Sequence, residues 1–389
     1  MNTLEKLQVL GAGTKWDACT PGRSQRRPEG DSRIGAPYGA GVCKSFTPDG
    51  RCVSLLKVLQ TNVCVHDCKY CMHSTNCRWQ KKAEFDAEEL AKLFMNMYLG
   101  NYVEGLFLSS GVVGNETRAF EKMHRTVEIL RGGKYNYQGY IHLKVMPGAD
   151  PSHIKALAEV ADRVSLNAEC PNSEAFSEIC TTKDYGIDIE RRLRMINHVK
   201  GQNEITSGVT TQMVVGAAGE TDRDYLDALE RMYLDFGLKK AYFSAFDPVQ
   251  GTPLEKEKGT PLRRENFLYR VDWLLRFYHF DFREVKTLVD EDGMMPLNID
   301  PKVNFALHNP EKFPVDINSA GIDELLHVPG IGVQGAQRIL KMREHCHIRG
   351  VDELKATGIT LSRAMPFLQV NGARQSNLTQ FCAQHHISA

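Results

Sequence analysis

The sequence predicts an α/β fold, a partial (β/α)6 barrel, followed by an all-α module at its C-terminal end. Two observations carry this expectation. Between about Val53 and Phe246, six short β-rich runs alternate with longer segments whose apolar residues recur at helical spacing. Past a stretch rich in Pro and Asp, the pattern becomes wholly helical around a Pro-Gly-Ile-Gly turn.

Taken in order, residues 1–51 read as an N-terminal extension, mostly loop. Within it "PGRSQRRPEGDSR" reads as a solvated surface loop, with a phosphate contact as the alternative. Residues 1–60 hold nine Lys/Arg against five Asp/Glu, whereas the whole chain balances 48 against 48, which argues against a wholesale polyanion binder. The strand candidates are "CVSLLKVL" (52–59), "EGLFLSS" (104–110), "YIHLKVM" (140–146), "DRVSLNA" (162–168), "VTTQMVVG" (209–216) and "KKAYFSAF" (239–246). Between them lie helical patterns such as Leu90, Leu93 and Phe94, or Leu193, Ile196 and Val199. Six units fall short of the eight that close a TIM barrel, so residues 52–288 are expected as a partial TIM-like barrel with its site at the C-terminal strand ends. Residues 289–315 read as an ordered linker and 316–389 as a separate helical module.

With 42% hydrophobic and 25% charged residues, and no apolar run long enough for a bilayer, the composition is that of an ordinary globular protein without a membrane span. The first residues lack the apolar stretch of a secretory signal, so a cytoplasmic location is expected. Thiols stay reduced there, and eleven cysteines are then better read as metal ligands or catalytic thiols than as disulfides.

Four of them fall in "TNVCVHDCKYCMHSTNC" (61–77). Cys64, Cys68 and Cys71 are spaced Cys-x3-Cys-x2-Cys just after the first strand, with Tyr70 before the last. A structural zinc site wants four ligands, and His66 and His73 keep that reading open. Three close cysteines can instead grip three irons of a [4Fe-4S] cluster and leave the fourth iron free. In spacing, aromatic residue and position, the stretch resembles the radical SAM superfamily. The resemblance implies that the open iron chelates S-adenosyl-L-methionine (SAM) and reduces it to methionine and a 5′-deoxyadenosyl radical, with an external electron donor.

The same resemblance implies roles at later strand ends. Ser109, Ser110 and Gly111 stand where the family has a Gly-Gly-Glu-like turn toward the methionyl amine, though the glutamate is missing here. Asn167 and Glu169 stand where polar residues hold the ribose and the methionyl end. Val214 and Gly216 match the adenine-side motif, with Gly216 permitting close backbone approach, and Phe246 falls in the segment beside the adenine. Cys170 is a candidate hydrogen donor to a product radical, with a buried inert thiol as the plainer reading. Cys19, Cys43, Cys52 and Cys77 are candidates for a second cluster. The Gly-x-Gly of "VLGAGTKWDA" lacks the third glycine of a dinucleotide fingerprint and is discounted.

"DINSAGIDELLHVPGIGVQGAQRILKMRE" (316–344) reads as two helices joined by a tight turn, with Asn318 or Ser319 as N-cap of the first. It resembles a helix-hairpin-helix motif, in which Gly330 and Gly332 free backbone N–H groups for a phosphate oxygen and Arg338 and Lys341 add charge. A worn second copy follows in 351–368, with Thr360 in place of the second glycine. A helical cap or protein-docking module is the competing reading. Residues 313–389 hold seven Lys/Arg against six Asp/Glu, so binding by this module alone is expected to be weak and salt-sensitive.

Together with "KWDAC" and "YGAGVCKSFTPDGRC", this order of motifs resembles the DNA modification and repair radical SAM proteins, in bacteria often encoded beside a uracil-DNA-glycosylase-like protein. That resemblance implies hydrogen abstraction from a nucleotide in DNA, contacted through its sugar-phosphate backbone. Two alternatives remain at this stage: an RNA-modifying radical SAM enzyme, and a non-catalytic Fe-S DNA-binding partner of a glycosylase.

Overall fold

A computed structural model describes residues 1–17, 41–46, 52–77, 80–201 and 205–374. The "PGRSQRRPEGDSR" loop and Cys19 lie outside the described residues. The chain divides into two compact units, Met1–Glu220 with Asp227–Glu265, and Thr221–Leu226 with the residues from Asn266 onward.

The first unit is built on a seven-stranded sheet whose order follows the chain: β1 (Val42–Phe46), β2 (Cys52–Leu59), β3 (Gly105–Ser109), β4 (Tyr140–Lys144), β5 (Arg163–Ser165), β6 (Val209–Val215) and β7 (Lys240–Ala245). From β2 to β7 all neighbours are parallel, and β1 and β7 stay unpaired to each other, which makes this an open, partial barrel. Every residue of β3 and of β6 is buried. Covered on both faces, such strands read as continuous apolar runs rather than as alternation, which is why they stand out in the sequence.

The N-terminal stretch departs from the mostly-loop expectation. It contains α1 (Thr3–Ala12), opened by an Asn2/Glu5 capping box, and β1, which pairs antiparallel with β2 from Val42↔Leu56 to Phe46↔Cys52. In α1 only Leu10 and Gly11 are buried, so no apolar stripe marks it, and β1 is five residues with a lysine at its centre. Neither has a periodicity to read.

The strands alternate with helices, α2 (Ala87–Leu99) after a long loop and then α3 (Glu116–Arg131), α4 (Pro151–Val160), α5 (Ser173–Ile179) and α6 (Arg191–Lys200). Side-chain caps fix three of these turns. Asn115 accepts from Arg118 N (2.9 Å), Asp150 from Ser152 N (2.9 Å) with Pro151 in the first turn, and Asn172 from Ala175 N (2.9 Å). Two further helices, α7 (Asp222–Glu230) and α8 (Leu262–Phe277), divide their residues between the units.

The second unit contains α9 (Phe282–Lys286) and, around one apolar core, α10 (Pro301–His308), α11 (Ile322–His327), α12 (Val333–Arg343) and α13 (Leu361–Ala364). The stretch expected as a linker contributes to it directly, since Val303 and Ala306 of α10 pack with Leu325, Leu326, Ile331 and Ile339. The module is also not wholly helical. Three short strands, β8 (Val315–Asp316), β9 (Leu368–Val370) and β10 (Ala373–Arg374), form a small sheet in the order β10-β9-β8. Strands of two or three residues leave no alternation to detect. Asn318 does not cap α11, where Gly321 takes that place. It clasps Ile348 instead, accepting from its N–H at 2.9 Å and donating to its carbonyl at 2.9 Å. Among the described residues no helix is long and apolar enough to cross a membrane.

Candidate functional site

A cavity opens at the C-terminal ends of the parallel strands of the first unit. The cysteine loop between β2 and α2 forms one wall: Cys64, Cys68, Tyr70, Cys71, Met72 and His73 all line it. From the strand ends come Ser109, Ser110, Gly111, Lys144, Asn167, Glu169, Gln212, Val214 and Phe246.

Polar clasps hold the cysteine loop in place, because few of its residues have apolar side chains to bury. Asp67 accepts hydrogen bonds from Thr182 Oγ1 (2.8 Å), Thr181 N (3.1 Å) and Cys180 Sγ (3.2 Å). Burial opposes its charge, but these hydrogen bonds outweigh it and hold the carboxyl well below the usual carboxylate range. Val65 N donates to Val112 O (2.9 Å) and Lys69 N to Ile179 O (2.8 Å), which tie the loop to the segments after β3 and α5. The ring nitrogens of His73 are engaged by Gln80 (2.7 Å) and the Gly13 carbonyl (2.9 Å).

That arrangement bears on the zinc reading. His73 has neither nitrogen left for a metal, and among the described residues no three His, Cys, Asp or Glu side chains are grouped to hold a single ion. A cluster asks only for one thiolate per iron from residues that share a cavity wall, and the three thiols do. Burial pushes the Cys71 thiol up to about 12, a shift that bound iron would reverse. His66 supplies a further sign of fit. Its Nε2 is buried without a hydrogen-bond partner, Glu116 Oε1 lying 3.8 Å away, and the residue lines the cavity. A bound polar group would satisfy that atom.

Glu169 carries the most unusual backbone of the wall. Its φ is +64°, in the left-handed region that costs a non-glycine residue on the order of 1–3 kcal/mol. Two backbone hydrogen bonds to β6 impose it, Glu169 N to Gln212 O (3.0 Å) and Val214 N to Glu169 O (2.7 Å). The Tyr70 hydroxyl is hydrogen-bonded to Glu169, and burial first, then the Glu169 charge, raises its pKa well above the ordinary value.

Several expected residues sit differently. Gly111 lines the cavity but is required for packing, since a Cβ there would stand 2.3 Å from Val63 O. The Ser110 hydroxyl donates to Gly111 O (2.7 Å) within the turn, and the Ser109 carbonyl accepts from Gln60 N (2.8 Å), continuing the β2–β3 pairing. Gly216 is not part of the wall. Its φ of +84° and the Thr260 hydroxyl, 2.1 Å from where a Cβ would be, explain the glycine by close approach to this chain and not to a ligand. Cys170 has no exposed surface and lies outside the cavity lining. Cys43 and Cys52 lie on β1 and β2, paired with Leu55 and Phe46 and not with each other, and Cys77 is buried.

Lys183 was not among the residues expected at the site. It lines the cavity, hydrogen-bonded to Cys68. Burial works against its charge, yet the Cys68 thiol, Glu169 and Cys180 outweigh it and hold the ammonium above its ordinary range. Lys144, ion-paired with Asp17, is a second basic residue of the wall. A lone lysine in a loop has no spacing to betray it.

Against known families, residues 58–232 match the model of the radical SAM superfamily. The chain carries a radical SAM domain. Domains of this superfamily use S-adenosylmethionine together with a [4Fe-4S] cluster. Residues 311–358 match the helix-hairpin-helix motif. No curated protein matches the chain. Among solved structures, the FeFe-hydrogenase maturase HydG from Carboxydothermus hydrogenoformans is 11% identical with a TM-score of 0.45, over 56% of this chain and 50% of that one. Methylornithine synthase (PylB) is 16% identical with a TM-score of 0.45, over 56% and 60%. The radical S-adenosylmethionine methyltransferase TsrM from Kitasatospora setae is 14% identical with a TM-score of 0.38, over 51% and 38%. The matched part thus spans between about two fifths and three fifths of these radical SAM proteins.

In the second unit the hairpin runs from α11 through Val328–Gly332 into α12. Gly330 has φ +84°, and a Cβ there would stand 2.5 Å from Thr360 O, while Thr360 N donates to Gly330 O (2.9 Å). Gly330 therefore packs against the start of α13, in the segment expected as a second copy, which is a 3-10 turn (Val351–Thr357) followed by α13. Gly332 is the N-cap of α12, with the Tyr278 hydroxyl 3.4 Å from an added Cβ. Arg338 donates to Thr357 O (3.1 Å), so it braces the 3-10 turn, whereas Lys341 is exposed in the last turn of α12.

Proposed function

We propose that this radical SAM enzyme abstracts hydrogen from a nucleotide in DNA, to repair a lesion or to install a modification. In this reading Cys64, Cys68 and Cys71 hold the cluster, and Tyr70, Asn167, Glu169, Val214 and Phe246 position SAM. When bound, the pair supplies a 5′-deoxyadenosyl radical for hydrogen abstraction. The chain's own residues do the rest. Lys183 sets a positive charge beside the Cys68 sulfur, Glu169 is pre-set by β6 within the cavity wall, and the apolar side chains of Val214 and Phe246 would exclude water from bound SAM.

The observation that carries the nucleic-acid part is the presence in one chain of a radical SAM domain and a helix-hairpin-helix motif, with Gly332 at the N-terminus of an eleven-residue helix. A target atom inside a duplex is out of reach of such a cavity, so the nucleotide is flipped out or taken from a single strand. RNA is the second reading, because a backbone-gripping hairpin does not itself distinguish the two polymers. A uracil-DNA-glycosylase-like protein is the proposed partner and a reduced protein the proposed electron donor.

Anaerobic turnover with damaged DNA, undamaged DNA and matched RNA tests this, read by nucleoside mass spectrometry and by 5′-deoxyadenosine release. A new or lost nucleoside in DNA, matched by deoxyadenosine, supports the proposal. Deoxyadenosine release that no nucleic acid stimulates sinks it.

A further inference from the structure

The second unit carries a surface whose composition the phosphate-gripping hairpin does not explain. From Asn266 onward, α8 buries Phe267, Leu268, Val271 and Leu274. Its opposite stripe, at i, i+4, i+7 and i+11, is Asn266, Arg270, Trp273 and Phe277, and all four are exposed. A surface helix with a complete buried face ordinarily turns charged residues outward. Here Trp273 is 48% and Phe277 41% exposed, with ring centroids 4.9 Å apart, and the stripe holds no carboxylate. Two adjoining exposed rings form a patch, unlike the single apolar residues scattered on any surface.

This patch is continuous with the hairpin. Arg270, Trp273, Tyr278 and Lys302 line one open groove of about 430 Å³. At its far end the Tyr278 hydroxyl lies 3.4 Å from where a Cβ on Gly332 would be, and Lys302 Nζ donates to Ile331 O (2.7 Å). The rim is cationic on balance, since Arg270 (3.3 Å) and Arg363 (3.9 Å) share the one carboxylate of Asp300. Flat rings beside guanidinium groups, in a groove that ends on a helix N-terminus, are the elements with which proteins hold unpaired nucleotides: bases stack on the rings and phosphates follow the charge.

We infer that the Trp273/Phe277 face of α8 is a stacking platform for an unpaired base of a single-stranded nucleic-acid segment whose backbone runs along this groove to the hairpin. The inference rests on the nucleic-acid reading above and deepens it, because it assigns single-stranded substrate to the second unit. A protein partner docking on the rings is the competing occupant. Charge decides against it here, as an acid-free aromatic stripe beside two arginines complements a polyanion with exposed π-faces.

The test is equilibrium binding of the full chain, by fluorescence anisotropy, to a labelled single-stranded oligothymidylate and to a duplex of the same length. Trp273→Leu combined with Phe277→Leu keeps apolar bulk but removes the rings. It is expected to weaken single-strand binding about tenfold or more while leaving duplex binding within about twofold. Trp273→Phe, which keeps a ring, is expected to stay near wild type. An unchanged thermal midpoint shows that the surface variants are folded. Unaltered single-strand affinity in the double leucine variant overturns the platform and leaves the nucleic-acid reading standing. Equal losses on single strand and duplex overturn it as well, since the face would then hold backbone and not a base. Wild-type protein that binds neither polymer overturns both.

Discussion

The two motif-bearing regions use their signature residues in opposite ways. In the first unit the cysteine loop contributes little to the apolar core, and it is strapped down by Asp67, His73 and backbone hydrogen bonds while its thiols line a cavity. In the second unit the signature is itself the fold. Leu325, Leu326, Ile331, Ala336 and Ile339 belong to the core, Gly330 packs against Thr360 at the start of α13, and Arg338 braces the Thr357 carbonyl. A motif that binds a cofactor leaves its side chains open to that cofactor. One that presents backbone N–H groups must build a rigid turn, and its side chains are consumed in doing so.

The sharpest test of this contrast is substitution within each signature. Cys64→Ala, Cys68→Ala or Cys71→Ala is expected to abolish 5′-deoxyadenosine formation and to lower iron from about four per chain, with a thermal midpoint close to that of the cluster-free wild type. Colorimetric iron counting and calorimetry on the same samples read both quantities. The opposite is expected of Gly330→Val, which puts a branched side chain at φ +84° and 2.5 Å from Thr360 O. It should destabilise the second unit by about 3 kcal/mol or more, visible as rapid proteolysis there, and lost nucleic-acid binding would then report unfolding. Gly332→Ala, with 3.4 Å of clearance, is the variant that separates binding from folding.

A smaller effect distinguishes the hairpin's support. Lys302 is buried beneath Ile331, and burial lowers its pKa to about 7. The unfolded chain keeps that proton to about pH 10.4, so between pH 7 and 10 the unfolded state binds more protons and stability rises with pH. The penalty is fully present below pH 7. Unfolding free energies from urea titration should climb by up to about 1.4 kcal/mol per pH unit in that window, and the climb should vanish in Lys302→Met. A slope shared by both proteins would place its origin elsewhere.

The mildest prediction concerns the loop's straps. Asp67→Asn keeps the shape but loses the charge that gathers Thr181, Thr182 and Cys180. Because the site is partly solvated, about 1 kcal/mol is expected, which is about fivefold in the rate at which a chelator removes iron from loaded protein. Iron loss at the wild-type rate would show that the straps are redundant.

What the sequence alone determined follows from features that are local along the chain. The parallel strands are legible because their central residues are buried on both faces, the cysteine loop because three thiols fall between residues 64 and 71, and the hairpin because its turn demands glycine at φ +84°. Tertiary structure decided whatever depends on a distant partner. Edge strand β1 exists through its pairing with β2, Gly216 answers to Thr260, and Lys183 reaches Cys68 from the far side of α5. The outward face of α8 is the same kind of fact. Trp273 and Phe277 read as ordinary core residues of a helix until packing shows which side is already full, since hydrophobicity tells that a side chain can be buried and only the fold tells whether it is.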